Sequence, residues 1–353
     1  MPRRTALTDL LGIEHPVIQA PMASAATPAL VAAVSAAGGL GSLGSAMLAP
    51  GDVIAQAREV RALTDRPFGV NFFCHSPPAI DDDHAARARA RYAPHYAEAG
   101  LGEPPEPADP QTTFTAERLA ALLEIGPAVA SFHFGLPDQE ALAAVREAGC
   151  RILSTATTVA EARDLAERGV DAVIAQGAEA GGHRGSFLVS GDDGPIGTFA
   201  LVPQVADAVD VPVIAAGGVA DGRGLAAALA LGAAGVQIGT ALLRCPESGI
   251  GQLYREALAA ATAEATTITR AFSGRPARSV RNRAVDEAGD DPLPYPAHMS
   301  VALPLAVALA KQGSSDFLPM WAGQGAPLAQ ELPAGELVAR IVADADRALA
   351  GLG

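Results

Sequence analysis

The sequence predicts an α/β chain and, within that class, a closed (β/α)8, or TIM, barrel formed as a single domain over residues 1–353. Three observations carry this expectation. Short runs rich in β-branched residues alternate with Ala/Leu-rich helical stretches. The runs are apolar throughout instead of alternating in polarity, as strands covered on both faces are. Eight such units fit into roughly 240 residues, which suits a barrel better than an open sheet.

In chain order the candidate strands are 16–23 (PVIQAPMA), 39–44, 68–73, 129–134, 151–156, 172–177, 212–218 and 235–240. Helices are expected at Pro28–Ala37, Gly51–Leu63, Asp138–Ala148, Val159–Arg168 and Gly222–Leu231. Several end alike, in AAGG, EAGC, ERGVDA and LGAAG, where a glycine supplies the left-handed residue that stops a helix before a buried strand. The rival is an open, doubly wound sheet binding a dinucleotide. It should show GxGxxG after its first strand; here that strand ends in Ala20-Pro21-Met22-Ala23.

Residues 74–114 break the rhythm, with seven prolines, a polar helix-like centre and no strand. An insertion after the third strand emerges at the C-terminal face, where barrels build their sites, and would serve as a lid or as a contact in a homodimer. Residues 270–330 are also irregular. The stretch 245–353 is expected to supply barrel-closing helices and an extension, without a clear period to mark them.

Composition narrows the class of function. The chain is 49% hydrophobic and 18% charged, with net charge −14 and pI near 4.9, so it can bury a large core and is no phosphate-neutralising nucleic-acid binder. Cys74, Cys150 and Cys245 are widely spaced and suit reduced thiols in a cytoplasmic enzyme. No stretch reads as a signal peptide or a membrane span.

In a barrel, chemistry is sought after each strand. After the sixth comes QGAEAGGHRG (176–185), four glycines in ten residues with His183, which is placed to act as acid, base or hydrogen-bond donor. Gly217 and Gly218 follow the seventh strand, and Gln237-Ile238-Gly239-Thr240 ends the eighth. Such paired turns are the usual barrel phosphate site. Asn71 and Gln176 carry amides that would either meet a flat heterocycle or cap backbone groups, and the backbone of Ala20–Ala23 could lie against such a ring. His133 either lines the mouth or is a core histidine. Asp81, Asp82, Asp83 and His84 are consecutive and have no spaced partner, so no metal site is expected. No Ser/His/Asp elbow, P-loop or HExxH occurs.

The joint set APMA (20–23), AGGLGSLG (37–44), GVNFF (69–73), FHFGLP (132–137), QGAEAGGHRG (176–185), AAGGVADGRG (215–224), GVQIGT (235–240) and WAGQGA (321–326) resembles nitronate monooxygenase, formerly 2-nitropropane dioxygenase, over nearly the whole chain. The resemblance implies a barrel with FMN at its C-terminal face that oxidises alkyl nitronates, such as propionate 3-nitronate, with O2 to a carbonyl compound and nitrite. It assigns His183 to catalysis. Ala20, Pro21, Met22, Ala23, Asn71, Gln176, Gly181, Gly182, Gly217, Gly218, Gln237, Ile238, Gly239 and Thr240 would hold the cofactor, and His133, Tyr295, Trp321 and Gln324 would meet the substrate. The 74–114 excursion joined to FHFGLP looks like the class lacking NADH oxidation. The runner-up is an NAD(P)H-dependent flavin reductase of the enoyl-acyl-carrier-protein or quinone type, and a third reading is a flavin-binding barrel without turnover. The sequence departs from the class beyond PYP (294–296). Met299 and Leu303 stand where another aromatic and a basic residue belong, and Lys311 comes only later.

Overall fold

The computed structural model describes residues 4–189, 194–262, 264–287 and 289–351. The ends of the expected 1–353 domain, 1–3 and 352–353, lie outside the described residues. Eight parallel strands form the central sheet: β1 Val17–Gln19, β2 Gly41–Gly44, β3 Phe68–Phe73, β4 Val129–His133, β5 Arg151–Ala156, β6 Ala172–Gln176, β7 Val213–Ala216 and β8 Gly235–Ile238. From β2 to β8 each pairs with the next, and β8 returns to β1 through Val17↔Val236. The gap between β1 and β2 is bridged at Ile18↔Leu40, where Gln19 N–H donates to Leu40 O (2.8 Å) and Leu40 N–H to Val17 O (2.9 Å). The sheet is therefore closed, as the (β/α)8 expectation requires.

All eight candidate strands form: 68–73 and 151–156 keep the expected bounds, and the other six are shorter by one to five residues. The helices follow suit: Thr27, Asp138, Thr158 and Asp221 cap the starts of four with side-chain oxygens, and glycines 38, 149, 169 and 232 stand at positive φ where four stop. Leu7 and Leu11 of the short helix Ala6–Leu11 join Ile18, Leu153 and Ile214 in one apolar cluster that plugs one end of the barrel. The helix Ala334–Ala350 provides the closing layer. Its Leu337, Val338, Ile341 and Ala345 recur with helical spacing, and it packs on the helices Gly222–Ala230 and Pro28–Ala36. The period that was not evident after residue 240 is thus present near the C-terminus.

The 74–114 excursion contains a 17-residue helix, Asp82–Glu98, and touches the sheet through the bridge Phe73↔Thr113. It contributes no residue to the cavity wall described below. It packs instead on the helix Met299–Lys311, forming an outer lobe whose cluster includes Tyr92, Tyr96, Phe272, Leu305 and Phe317. Asp81, from the discounted acidic run, caps the helix by accepting His84 N–H (2.9 Å). A second element the sequence did not show is a small antiparallel sheet of Thr266–Thr269, Ala277–Val280 and Gly182–His183. Among the described residues no helix is long and apolar enough to cross a membrane, and the three cysteines are free.

Candidate active site

A cavity of about 810 Å³ opens at the C-terminal ends of the strands. Its floor and one side come from the barrel turns. Ala20–Ala23, Asn71, Gln176, Gly181, Gly182, Gly217, Gly218, Gln237, Gly239 and Thr240 all line it, as do His133, His183, Tyr295 and Trp321. Two expected residues do not. Strand side chains alternate, so Gln237 faces the cavity while its neighbour Ile238 is turned into the core, 1% exposed. Gln324 is exposed and reaches the site only through its backbone N–H, which donates to Glu179 O (3.0 Å); its neighbours Gly323 and Gly325 line the wall.

The loop carrying His183 is fastened from several sides. Gln176 Nε2 donates to His183 O (2.9 Å) and its Oε1 accepts Gly185 N–H (2.8 Å), so this amide spends itself largely on the loop. Arg184 is buried and donates to Gly177 O (2.6 Å) and Gln176 O (3.0 Å); burial lowers its pKa to about 10, which leaves it charged at neutral pH. Arg278 Nε holds Ala178 O (2.8 Å). Ala277 pairs with His183 in the small sheet, which fixes the backbone of the loop's far end. Asn71 Nδ2 is held by Ser131 Oγ (3.0 Å) and O (3.2 Å).

His183 itself is half-buried in an aromatic cage. Its ring lies 5.1 Å from Trp321, 5.3 Å from Tyr295, 5.9 Å from Phe134 and 6.2 Å from Phe73. Nε2 is 2.9 Å from Ser273 Oγ, and Nδ1 makes no hydrogen bond to the described residues. Burial, helped by His133, Arg275 and His75, pushes its pKa down to about 3. Burial and Arg275 do the same to His133, whose Nε2 lies 3.3 Å from His183 O. Both imidazoles are therefore neutral at physiological pH. The Arg275 guanidinium stacks 3.9 Å over Phe134 and donates to Ser186 O. Sequence reading missed Ser273, Arg275 and Phe134's place in the cage. Only contact across the fold brings them to His183, although FSGR (272–275) is a compact polar break that could have drawn attention.

At the other end, the turns after β7 and β8 present a row of backbone donors suited to an anion. The backbone N–H groups of Gly218, Val219, Gly239 and Thr240 make no hydrogen bond to the described residues. A Cβ on Gly217 would lie 2.9 Å from Ala180 N, and one on Gly181 would lie 2.6 Å from Gly323 N, so only glycine permits these backbones to approach each other.

Comparison with known proteins decides the family. The family description "Nitronate monooxygenase" matches residues 4–344. The chain belongs to the nitronate monooxygenase family. It is 45% identical to a nitronate monooxygenase of Paraburkholderia phytofirmans over 344 residues, covering 96% of this chain and 94% of that one. Against the nitronate monooxygenase of Pseudomonas aeruginosa it is 47% identical, covering 95% and 97%. The solved structure of nitroalkane oxidase from Streptomyces ansochromogenes superposes with a TM-score of 0.91 at 41% identity, covering 99% of this chain and all of the other. This nitronate monooxygenase family member is thus an oxidoreductase, in a family of flavin-dependent enzymes.

Proposed function

We propose that this enzyme binds FMN and uses O2 to oxidise alkyl nitronates to a carbonyl compound and nitrite. The observation that carries the reading is the neutral, caged His183 with an unengaged Nδ1, set beside a wall of small residues and opposite an anion cradle. The residues fit the cofactor. Unpaired N–H groups of Gly218, Val219, Gly239 and Thr240 suit its phosphate, and Ala20–Ala23 and the Asn71 amide suit its ring, with Gln176 fixing the loop beside them. Bound there, FMN would supply the electron transfer that neither imidazole nor hydroxyl can perform.

The protein's own share is to hold the substrate. With the Ser273 hydroxyl donating to Nε2, Nδ1–H donates to a nitronate oxygen. With Nε2–H donating to Ser273, Nδ1 accepts the α-proton of a neutral nitroalkane. Burial and the nearby Arg275 both oppose an imidazolium at this position, which favours the first arrangement and an already ionised substrate. Phe73, Phe134, Tyr295 and Trp321 keep water from the reacting carbon. Three unpaired thiols fit a cytoplasmic enzyme acting on small molecules.

His183→Asn keeps a donor but no base. Nitroalkane oxidation is expected to fall about 10²- to 10⁴-fold, nitronate oxidation by clearly less, and FMN to stay bound. Equal turnover of nitroalkane by variant and parent would remove His183 from the chemistry. Anaerobic mixing with butyl nitronate should change the flavin spectrum and NADH should not; bleaching by NADH alone would move the enzyme to the reductases.

A further inference from the structure

We infer that the outer arm of the cavity selects nitronates with an uncharged aliphatic tail over those that end in a carboxylate. This rests on the nitronate reading of the same site and adds the substrate's class. Met299, Leu303 and Ala310 line the cavity from one face of the helix Met299–Lys311. Steps of four and seven residues keep a single stripe, about 16 Å long at 1.5 Å per residue. Val307 continues that stripe and is 52% exposed. Leu318 and Ile250 also line the wall, and Met47, 47% exposed, stands at its rim.

Charge is distributed just as unevenly. None of the described residues lining the cavity is lysine or arginine, and the one carboxylate is Glu179. It lies at the cradle end, beside Gly218, and is engaged by Thr198 N–H (2.8 Å) and Thr198 Oγ1 (2.8 Å). Arg275, the nearby cation, is stacked on Phe134 and bonded to Ser186 O, so it belongs to the His183 wall and not to the arm. Lys311 ends the helix exposed and does not line the cavity. A carboxylate drawn into the arm would give up its water with no counter-charge to replace it. A methylene there gains burial, worth about four-fold in affinity per group.

The sole tryptophan, Trp321, lines the cavity and gives a binding readout independent of turnover. FMN-loaded enzyme would be titrated with nitroethane, 1-nitrobutane, 1-nitrohexane and 3-nitropropionate, following Trp321 fluorescence. Nitrite release from the corresponding nitronates would be measured in parallel. Kd should tighten about four-fold per methylene, with 3-nitropropionate at least ten-fold weaker than 1-nitrobutane. Leu303→Lys should bring those two together and weaken 1-nitrohexane. A Kd independent of chain length, or equal binding of the carboxylate and the alkane, overturns the inference. If the binding trend holds but no nitronate yields nitrite, the aliphatic arm stands and the proposed reaction falls.

Discussion

The barrel and the outer lobe are held together by different kinds of interior. The barrel's is mostly aliphatic and repetitive, with Val17, Val70, Ile152, Val173, Val213 and Val236 from six of its strands meeting leucines and valines from the helices, and one ring trio, Phe72, Phe114 and Phe132, among them. The lobe's is aromatic and hydrogen-bonded. His298, fully buried, accepts Leu293 N–H at Nδ1 (3.3 Å), and its Nε2 lies 3.0 Å from the Tyr92 hydroxyl and 3.1 Å from Ala271 O. Tyr96 donates to Val301 O (2.8 Å). An aliphatic core tolerates swaps of like volume, whereas a buried polar group must find its partners or pay for their loss. The barrel is accordingly a forgiving frame, and the parts of the site that no barrel strand supplies, Tyr295 and Trp321, depend on a less forgiving neighbour: Trp321 packs edge-on against Phe272 of the lobe (5.2 Å).

The sharpest way to test that contrast is His298→Leu. It keeps the volume roughly constant but strands Leu293 N–H, while the Tyr92 hydroxyl keeps Ala271 O (3.1 Å) and loses only its imidazole partner, a loss of up to about 3 kcal/mol. Ile152→Val in the barrel should cost about 1 kcal/mol. Hydrogen exchange should show the lobe of the His298 variant opening while the barrel strands stay protected. Uniform loss of protection would mean that the two interiors melt as one.

The same contrast explains what could be read from the chain. Most barrel strands are local apolar runs, several helix stops are local glycines, and QGAEAGGHRG carries its histidine within ten residues, so the fold and the centre of the candidate site were legible. The lobe was not, because its partners are some two hundred residues apart: Tyr92 meets His298 and Tyr96 meets Val301. Ser273 reaches His183 across ninety residues, by way of a small sheet whose strands are too short to announce themselves. Ile238 shows the opposite limit: it sits within a contiguous motif, but the period of two in a strand turns its side chain into the core and away from the cavity.

The junction between the two regions offers a smaller effect. Gly181 stands where the His183 loop meets Ala322 and Gly323, and a Cβ there would lie 2.6 Å from Gly323 N and 2.7 Å from Ala322 C. Both obstacles are backbone and cannot rotate away. Gly181→Val should separate the loop from the Trp321 segment, costing about 1–3 kcal/mol and weakening FMN retention at least ten-fold, with barrel circular dichroism unchanged. Full FMN occupancy after gel filtration would show that the cradle does not need this contact.

Acid should reveal the same division at the smallest scale. His183 and His133 at the mouth are held near pKa 3 and His298 in the lobe near 4, each chiefly by burial and all below the ordinary value of about 6.5. Below pH 6.5 the unfolded chain takes up protons that the native protein refuses, so stability is level above that pH and falls as pH drops from 6.5 towards 4. Asp221 and Glu98, whose pKa values are lowered by arginine partners, add their losses only further down, in the carboxylate range. Urea unfolding between pH 4.5 and 7.5 would measure the slope. His298→Gln should make it shallower by up to about 1.4 kcal/mol per pH unit, the share of one proton, and leave the contribution of the mouth in place. A protein that gains stability on acidification across this window would instead have to carry its histidines charged in the native state, which would remove the neutral imidazole on which the assignment of His183 as a hydrogen-bond donor depends.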